Sequence, residues 1–229
     1  MKKIVPVYEG ELRKHSIQVP RCISECSGIR IFGRRIKSLV FSTDVAIIKN
    51  INADAVIAVY PFTPQQIIAD AIVSTSSLPV FCGVGGGTTT GARVVMLAKD
   101  AEAFGAMAVV VNAPTTNDVI AQIADIIDIP IVVTVLDENT DIDARLEAGA
   151  TIFNVSAAAR TPEVVRILRE RYPDLPIIAT GGPSKESIRE TVAAGANAIS
   201  FTPPTAEELF HGLMTRYRNE HESKTKGEA

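Results

Sequence analysis

Seven short apolar runs, alternating between two ways of entering a strand, constrain this chain more than any other feature. One kind follows a helix end through Gly-Ala or its equivalent: Asn52-Ala53-Asp54-Ala55-Val56, Gly105-Ala106-Met107-Ala108-Val109, Gly149-Ala150-Thr151-Ile152-Phe153 and Gly195-Ala196-Asn197-Ala198-Ile199. Glycine, or asparagine at position 52, suits the left-handed residue that closes a helix. The other kind enters through proline, at Leu78-Pro79-Val80, Ile129-Pro130-Ile131 and Leu175-Pro176-Ile177. Proline costs no needed ladder donor at the first residue of a strand. The two kinds alternate strictly.

With Ser38 to Phe41 as the first, the strands number eight: 38–41, 55–60, 79–83, 108–112, 131–135, 152–156, 177–180 and 198–202. They are continuously apolar rather than alternating, as parallel strands covered on both faces are. Helix starts lie between them. Thr63-Pro64 and Thr161-Pro162 place a cap before a first-turn proline, and Thr205-Ala206-Glu207-Glu208 reads as a capping box. Eight such units in 229 residues predict an α/β fold, a closed (β/α)8 TIM barrel, with a doubly wound open sheet as the alternative. The barrel spans 38–218, residues 1–37 form a short basic N-terminal extension packing on it, and the polar segment 219–229 is expected to be disordered.

Charge sharpens that division. Residues 1–37 carry nine Lys or Arg against three Glu, a local +6, so the remainder carries −9 of a total of −3. The extension contains extended stretches at 4–7, 16–19 and 29–32, broken by Gly10, Pro20, Gly28 and Gly33, and is predicted to close one barrel end as short strands or a hairpin. If it reaches the strand C-termini, Arg30, Arg34 and Arg35 supply cations there; otherwise it is a strap. No aromatic interleaving points to base stacking, so no nucleic-acid partner is expected. No apolar run approaches membrane-spanning length, and Met-Lys-Lys-Ile runs into Pro6 rather than a signal peptide, so no membrane partner and a cytoplasmic location are expected. Three cysteines are too few for a disulfide scaffold. A zinc set from Cys22, Cys26, Cys82 and His15 would have looser spacing than a zinc knuckle, and no metal site is expected.

In a TIM barrel the chemistry sits in the loops after the strands. Those loops are rich here in hydroxyls, amides and glycine and poor in strong acids and bases. Asp44, after the first strand, is placed for general acid or base work or for capping the next helix. Cys82 ends the third strand, where a thiolate would act as a nucleophile or a thiol would pack as a small hydrophobe. The run Gly83-Val84-Gly85-Gly86-Gly87-Thr88-Thr89-Thr90-Gly91 is not a Walker loop, because Ala92-Arg93 stands where Lys and Ser or Thr are required. It reads either as a flexible connection or as a ligand loop in which Gly85 and Gly86 approach a phosphate. Asn112, Ser156 and Thr202 share an offset from their strand-opening glycines and suggest a polar ring, with Asn154 beside it. Asp137 and Glu138 read as a solvated loop.

The stretch Ile178-Ala179-Thr180-Gly181-Gly182-Pro183-Ser184 ends a strand and opens a helix, a pattern in which glycine amides and a helix N-terminus hold an anion. Residues 176–202 resemble the phosphate-binding end of ribulose-phosphate-binding barrels, the group of ketodeoxyphosphogluconate aldolase, thiamine-phosphate synthase and N-acetylmannosamine-6-phosphate epimerase. The same stretch, with 129–155, is similar to FMN-binding barrels such as nitronate monooxygenase. The first resemblance implies phosphate held by Gly181 and Gly182, with Thr180, Thr202 and Thr205 beside them; the second implies FMN as cofactor. Two departures stand out. Pro203-Pro204 offer no N–H where such barrels present Gly-Ser or Gly-Thr, and no lysine lies in any predicted strand, which disfavours a Schiff-base aldolase. The expected function is a lyase or isomerase moving a proton on a small phosphorylated metabolite. An FMN-dependent oxidoreductase, a hydrolase and a non-catalytic ligand-sensing barrel are the alternatives, and homo-oligomers are common among such barrels.

Overall fold

In a computed structural model the chain is described over residues 4–8, 10 and 16–227, with side chains as far as residue 219. A hairpin of β1 (Ile29–Ile31) and β2 (Arg34–Ile36) precedes the barrel. Its two-residue turn, Phe32-Gly33, has both φ angles positive, 45° and 82°, the primed geometry that matches the twist of paired strands.

Eight strands follow: β3 (Ser38–Phe41), β4 (Ala55–Ala58), β5 (Val80–Gly85), β6 (Ala108–Val111), β7 (Ile131–Val135), β8 (Ile152–Val155), β9 (Ile177–Thr180) and β10 (Ala198–Phe201). Each is parallel to its neighbours in chain order, and β10 pairs with β3 to close the sheet. The helices α1 (Val45–Lys49), α2 (Gln66–Thr75), α3 (Ala92–Ala103), α4 (Asn117–Ala124), α5 (Ile142–Glu147), α6 (Thr161–Arg171), α7 (Lys185–Ala193) and α8 (Ala206–Gly227) alternate with them. The chain is a (β/α)8 TIM barrel. Among the described residues no helix is long and apolar enough to cross a membrane.

Closure divides each strand into two faces. Leu39, Phe81, Val132 and Ile178 from one set of alternate strands, and Ala55, Ala108, Ile152 and Ala198 from the other, fill the lumen. The intervening residues, Val40, Val56, Val80, Val109, Val133, Phe153, Ile177 and Ile199, pack outward among buried helix residues. Ile29, Ile31 and Ile36 of the hairpin join the lumen cluster, so the hairpin plugs the barrel.

The plug sits at the strand N-termini. The Gly28 N–H donates to the Asn197 carbonyl (2.8 Å), and Arg30 and Phe32 lie alongside Pro130, Thr151 and Pro176, where strands begin. Arg30, Arg34 and Arg35 are therefore at the end opposite the loops that follow the strands, and supply no cation there. Polar side chains pin strand entries at this end. The Asp54 Oδ2 accepts from the Lys37 N–H (2.9 Å), the Ser38 N–H (3.0 Å) and the Ser38 hydroxyl (3.0 Å), and the Asn197 Oδ1 accepts from the Ile177 N–H (2.8 Å).

Two local expectations are corrected. The tyrosine hydroxyl of Tyr60 accepts the Gln65 N–H (2.8 Å), so α2 starts at Gln66 rather than after Thr63-Pro64. Thr161 lies inside α6, whose N-cap is Arg160. Of the segment 219–229, the residues described continue α8 to Gly227. His15, invoked for a zinc set, lies outside the described residues.

Ile36 is 2% exposed, so Ile36→Ala is expected to cost about 2–4 kcal/mol in denaturant unfolding. Arg30→Gln and Arg34→Gln are expected to leave ligand affinity unchanged, because both lie at the closed end.

Candidate functional site

Counting by twos from the lumen residues identifies what faces the open end. Val132 leads to Thr134, Ile152 to Asn154 and Ser156, Ile178 to Thr180, and Ala198 to Ser200 and Thr202. All are polar and lie on, or directly after, four consecutive strands, β7 to β10. Asn154 and Ser200 are buried, while Thr134, Ser156 and Thr180 are half-buried. The other half of the lumen, from β3 to β6, presents Phe41, Ile57, Val59 and Val110, with Asn112 exposed at its rim. The mouth is polar on one side and apolar on the other.

Asn154 carries the sharpest signal. Only 9% of it is exposed, and its Oδ1 is buried without a hydrogen-bond partner. Such an oxygen costs about 1–3 kcal/mol unless something donates to it. Nearby strain agrees: Ala158, in the connection from β8 to α6, has φ 52°, a conformation rare outside glycine and concentrated at functional sites.

On the apolar side a cavity of about 270 Å³ opens between β4, β5 and β6. Val59, Tyr60 and Phe62 form one wall, and Thr88, Thr89 and Asn112 line the other. Its floor depends on glycine. A Cβ at Gly83 would stand 2.9 Å from Val59 Cγ2, and the register slips between Gly83 and Gly85, a bulge of the kind found beside active sites. The Thr89 and Thr115 hydroxyls are also buried without partners, each in a residue 5% exposed.

The predicted site residues divide sharply. Asn112, Asn154, Ser156, Thr180 and Thr202 lie at the mouth as expected. Asp44 caps α1, with Oδ1 accepting from the N–H groups of Ala46 (2.8 Å) and Ile47 (3.2 Å), which leaves Oδ2 outside the cap. Cys82 packs outward with Val80 and Val84, away from the lumen. It is 2% exposed, and burial pushes its thiol up to about 12, so it is an uncharged core residue at neutral pH rather than a nucleophile.

At the expected phosphate nest part of the donor set is committed within the protein. The Gly181 N–H donates to the Ser200 carbonyl (2.9 Å), and a Cβ there would lie 2.8 Å from both Ile188 Cγ1 and Ile199 Cγ2. Gly181 thus lets α7 approach the sheet. Gly182, at φ 74°, supplies the turn, and Ser184 with Ser187 forms a closed capping box. The Thr205 N–H (2.7 Å) and hydroxyl (3.0 Å) both donate to Glu208, whose carboxyl they hold below its usual range. Gly86 is a packing residue, because a Cβ there would overlap Thr115 Oγ1 and the Asn112 backbone. Arg145 holds that neighbouring turn by donating to the Ala113 carbonyl (2.9 Å), the Asn117 Oδ1 (2.9 Å) and the Thr115 carbonyl.

Glu138 accepts from Arg160 (2.7 Å), and its own backbone N–H together with Arg160 holds the carboxyl below its usual range. Among the described residues no three His, Cys, Asp or Glu side chains gather as a metal-ligating group. Sequence reasoning did not single out Tyr60, Phe62, Thr134 or Ser200 as ligand contacts, and gave Thr88 and Thr89 only as part of the glycine-rich run. The period-two count would have found Thr134 and Ser200; the aromatic wall leaves no comparable signal.

No protein-family model matches the chain. The chain is 28% identical over 93 residues to thiamine-phosphate synthase of Oceanobacillus iheyensis, a match covering 41% of this chain and 39% of the synthase. Among solved structures it is similar to phosphonopyruvate hydrolase, with a TM-score of 0.61 and 14% identity over 90% of this chain and 86% of that one. Phosphoenolpyruvate phosphomutase of Streptomyces platensis subsp. rosaceus gives a TM-score of 0.59 at 14% identity, over 90% and 86%. At these identities the structural likeness establishes the fold.

Burial also pushes the Cys26 thiol up, to about 11. A thiol whose folded pKa exceeds its ordinary 9.0 binds its proton more tightly folded than unfolded. Its contribution to stability is complete below pH 9 and declines as pH rises toward 11–12. Folded protein at pH 8 should therefore resist alkylation at Cys26 and Cys82, and guanidinium should expose both. Rapid labelling of Cys82 in the folded state would restore it as a candidate nucleophile.

Proposed function

We propose that this barrel is an enzyme that binds a small phosphorylated metabolite in its mouth and moves a proton on it, in lyase or isomerase chemistry. The observation that carries the reading is the unpartnered Asn154 amide oxygen on a half-ring of hydroxyls. A polar group kept buried at a cost in stability, on the face where barrel enzymes work, is best explained by a ligand that donates to it. The 270 Å³ cavity is at the small end of ligand sites and favours a metabolite of a few carbons over a flavin. The synthase match and the phosphonopyruvate and phosphoenolpyruvate enzymes that share the fold support a phosphorylated ligand.

In this reading Thr134, Asn154, Ser156, Thr180 and Ser200 orient the ligand's oxygens, and the wall of Val59, Tyr60 and Phe62 excludes water from its carbon skeleton. Asp44 carries the proton through Oδ2, since Oδ1 is committed to the cap. Glu138 is unsuited to donate one, because Arg160 favours its charged form.

Two variants separate function from stability. Asn154→Leu removes the orphaned oxygen, so its unfolding free energy should equal or exceed that of the parent while the thermal shift given by small phosphorylated metabolites disappears. Retention of that shift would overturn the role of Asn154. Asp44→Asn keeps an effective N-cap, whereas Asp44→Ala should lose about 1 kcal/mol. Both should slow proton exchange between bound ligand and D₂O, followed by NMR, by about 10²-fold or more. Unchanged exchange in Asp44→Asn would remove Asp44 from the chemistry.

A further inference from the structure

We infer that the loop between β5 and α3 is the subsite for the ligand's phosphate, which places that phosphate across the mouth from the Gly181-Gly182 turn. The placement rests on the phosphorylated-ligand reading above and adds an orientation to it.

Three observations converge on this loop. It borders the 270 Å³ cavity, which Gly85, Gly87, Thr88 and Thr89 line. Thr89 is 5% exposed, and its hydroxyl has no hydrogen-bond partner, so a donor is held at the cavity wall with nothing to receive it. The amides are free as well. Among the described residues, Gly86 N–H bonds to the Thr89 carbonyl (2.9 Å), while Gly87 and Thr88 N–H groups meet no backbone acceptor. Nothing lies within 4 Å of where a Gly87 Cβ would project.

The surrounding charge fits an anion. The 12-residue α3 begins at Gly91 with no side-chain cap, so its first amides point outward with the positive end of the helix dipole. Arg93 is exposed in its first turn, and no acidic residue occurs between Asp70 and Asp100 in the sequence. Consecutive glycine and threonine amides with a free hydroxyl form a donor set that suits a phosphate monoester.

The other two loops able to take that role have committed part of their donor sets. At α7 the Gly181 N–H donates to the Ser200 carbonyl and the Ser187 N–H donates to the Ser184 hydroxyl (3.1 Å). At α8 Pro203 and Pro204 have no N–H, and the Glu208 carboxylate occupies the donors of Thr205. A phosphate there would meet a negative charge already seated.

The test is inorganic phosphate titrated by calorimetry into the parent, Gly87→Asp, Thr89→Val and Lys185→Glu proteins. Gly87→Asp has space for its side chain and puts a carboxylate in the loop. Lys185→Glu puts one at the start of α7, where an acid is favourable to the helix. Gly87→Asp is expected to weaken phosphate binding about tenfold or more, and Lys185→Glu by no more than about twofold. Thr89→Val, which removes its own unpaired hydroxyl, should weaken it about threefold or more without lowering the unfolding midpoint, and carries the test if Gly87→Asp folds poorly. Weakening by Lys185→Glu equal to or greater than that of the loop variants overturns the placement and leaves the phosphorylated-ligand reading standing. Failure of the parent to bind inorganic phosphate, while small phosphorylated metabolites still stabilise it, also overturns the placement alone. Failure to bind any of them overturns both.

Discussion

Closure of the sheet between β10 and β3 is the constraint on which the rest of the molecule depends. An open parallel sheet exposes two edges of unpaired backbone groups; a closed one exposes none. Once Ile199 and Phe201 register against Ser38 and Val40, every second residue is committed to the lumen. The seam is reinforced from one side. Asp54 gathers both backbone amides at the start of β3, and the Ile199 N–H donates to the Lys37 carbonyl (2.9 Å). With the hairpin's three isoleucines filling the end beside that seam, the opposite end is left as the one open entrance to the lumen among the described residues.

Polar satisfaction is distributed unevenly around that entrance. The α7 and α8 turns close on themselves through Ser184 with Ser187 and Thr205 with Glu208. Asn154, Thr89 and Thr115 are buried with unpartnered oxygens, and Glu138 Oε2 is unpartnered as well. A fold under selection for stability alone would replace such groups by apolar ones of similar shape. Their survival on the loop side, together with the strained Ala158, marks where the molecule retains cost for another purpose.

The barrel was legible because its punctuation is local. Proline at a strand entrance and Gly-Ala at a helix exit act through backbone geometry within a few residues, so the eight strands can be placed within about two residues by reading alone. Side-chain direction is a different matter. Whether Cys82 meets the lumen or the helices depends on which of two alternating faces Phe81 takes, and that is set by closure against distant strands. Gly181 shows the same limit. A glycine after a strand serves an anion or a close helix equally well, and the contact distances to Ile188 and Ile199 decide for packing. The basic segment likewise carries its charge in the sequence but its destination only in the fold.

The neutrality of the mouth bears on what chemistry it would favour. A rim of strong acids and bases stabilises charge directly, but each must be desolvated when a ligand enters. Amides and hydroxyls fixed on strands cost less to desolvate and already point where charge would develop, which is how preorganised dipoles lower a barrier. On the proposed reading, the half-ring from Thr134 to Ser200 would favour a transition state that spreads negative charge over oxygens, as removal of a proton beside a carbonyl does. Such a site needs one group able to change its protonation and many that do not. On that reading Asp44, with one oxygen held by two amides and the other outside the cap, would serve for the first part, and the threonines, serines and asparagine of β7 to β10 for the second.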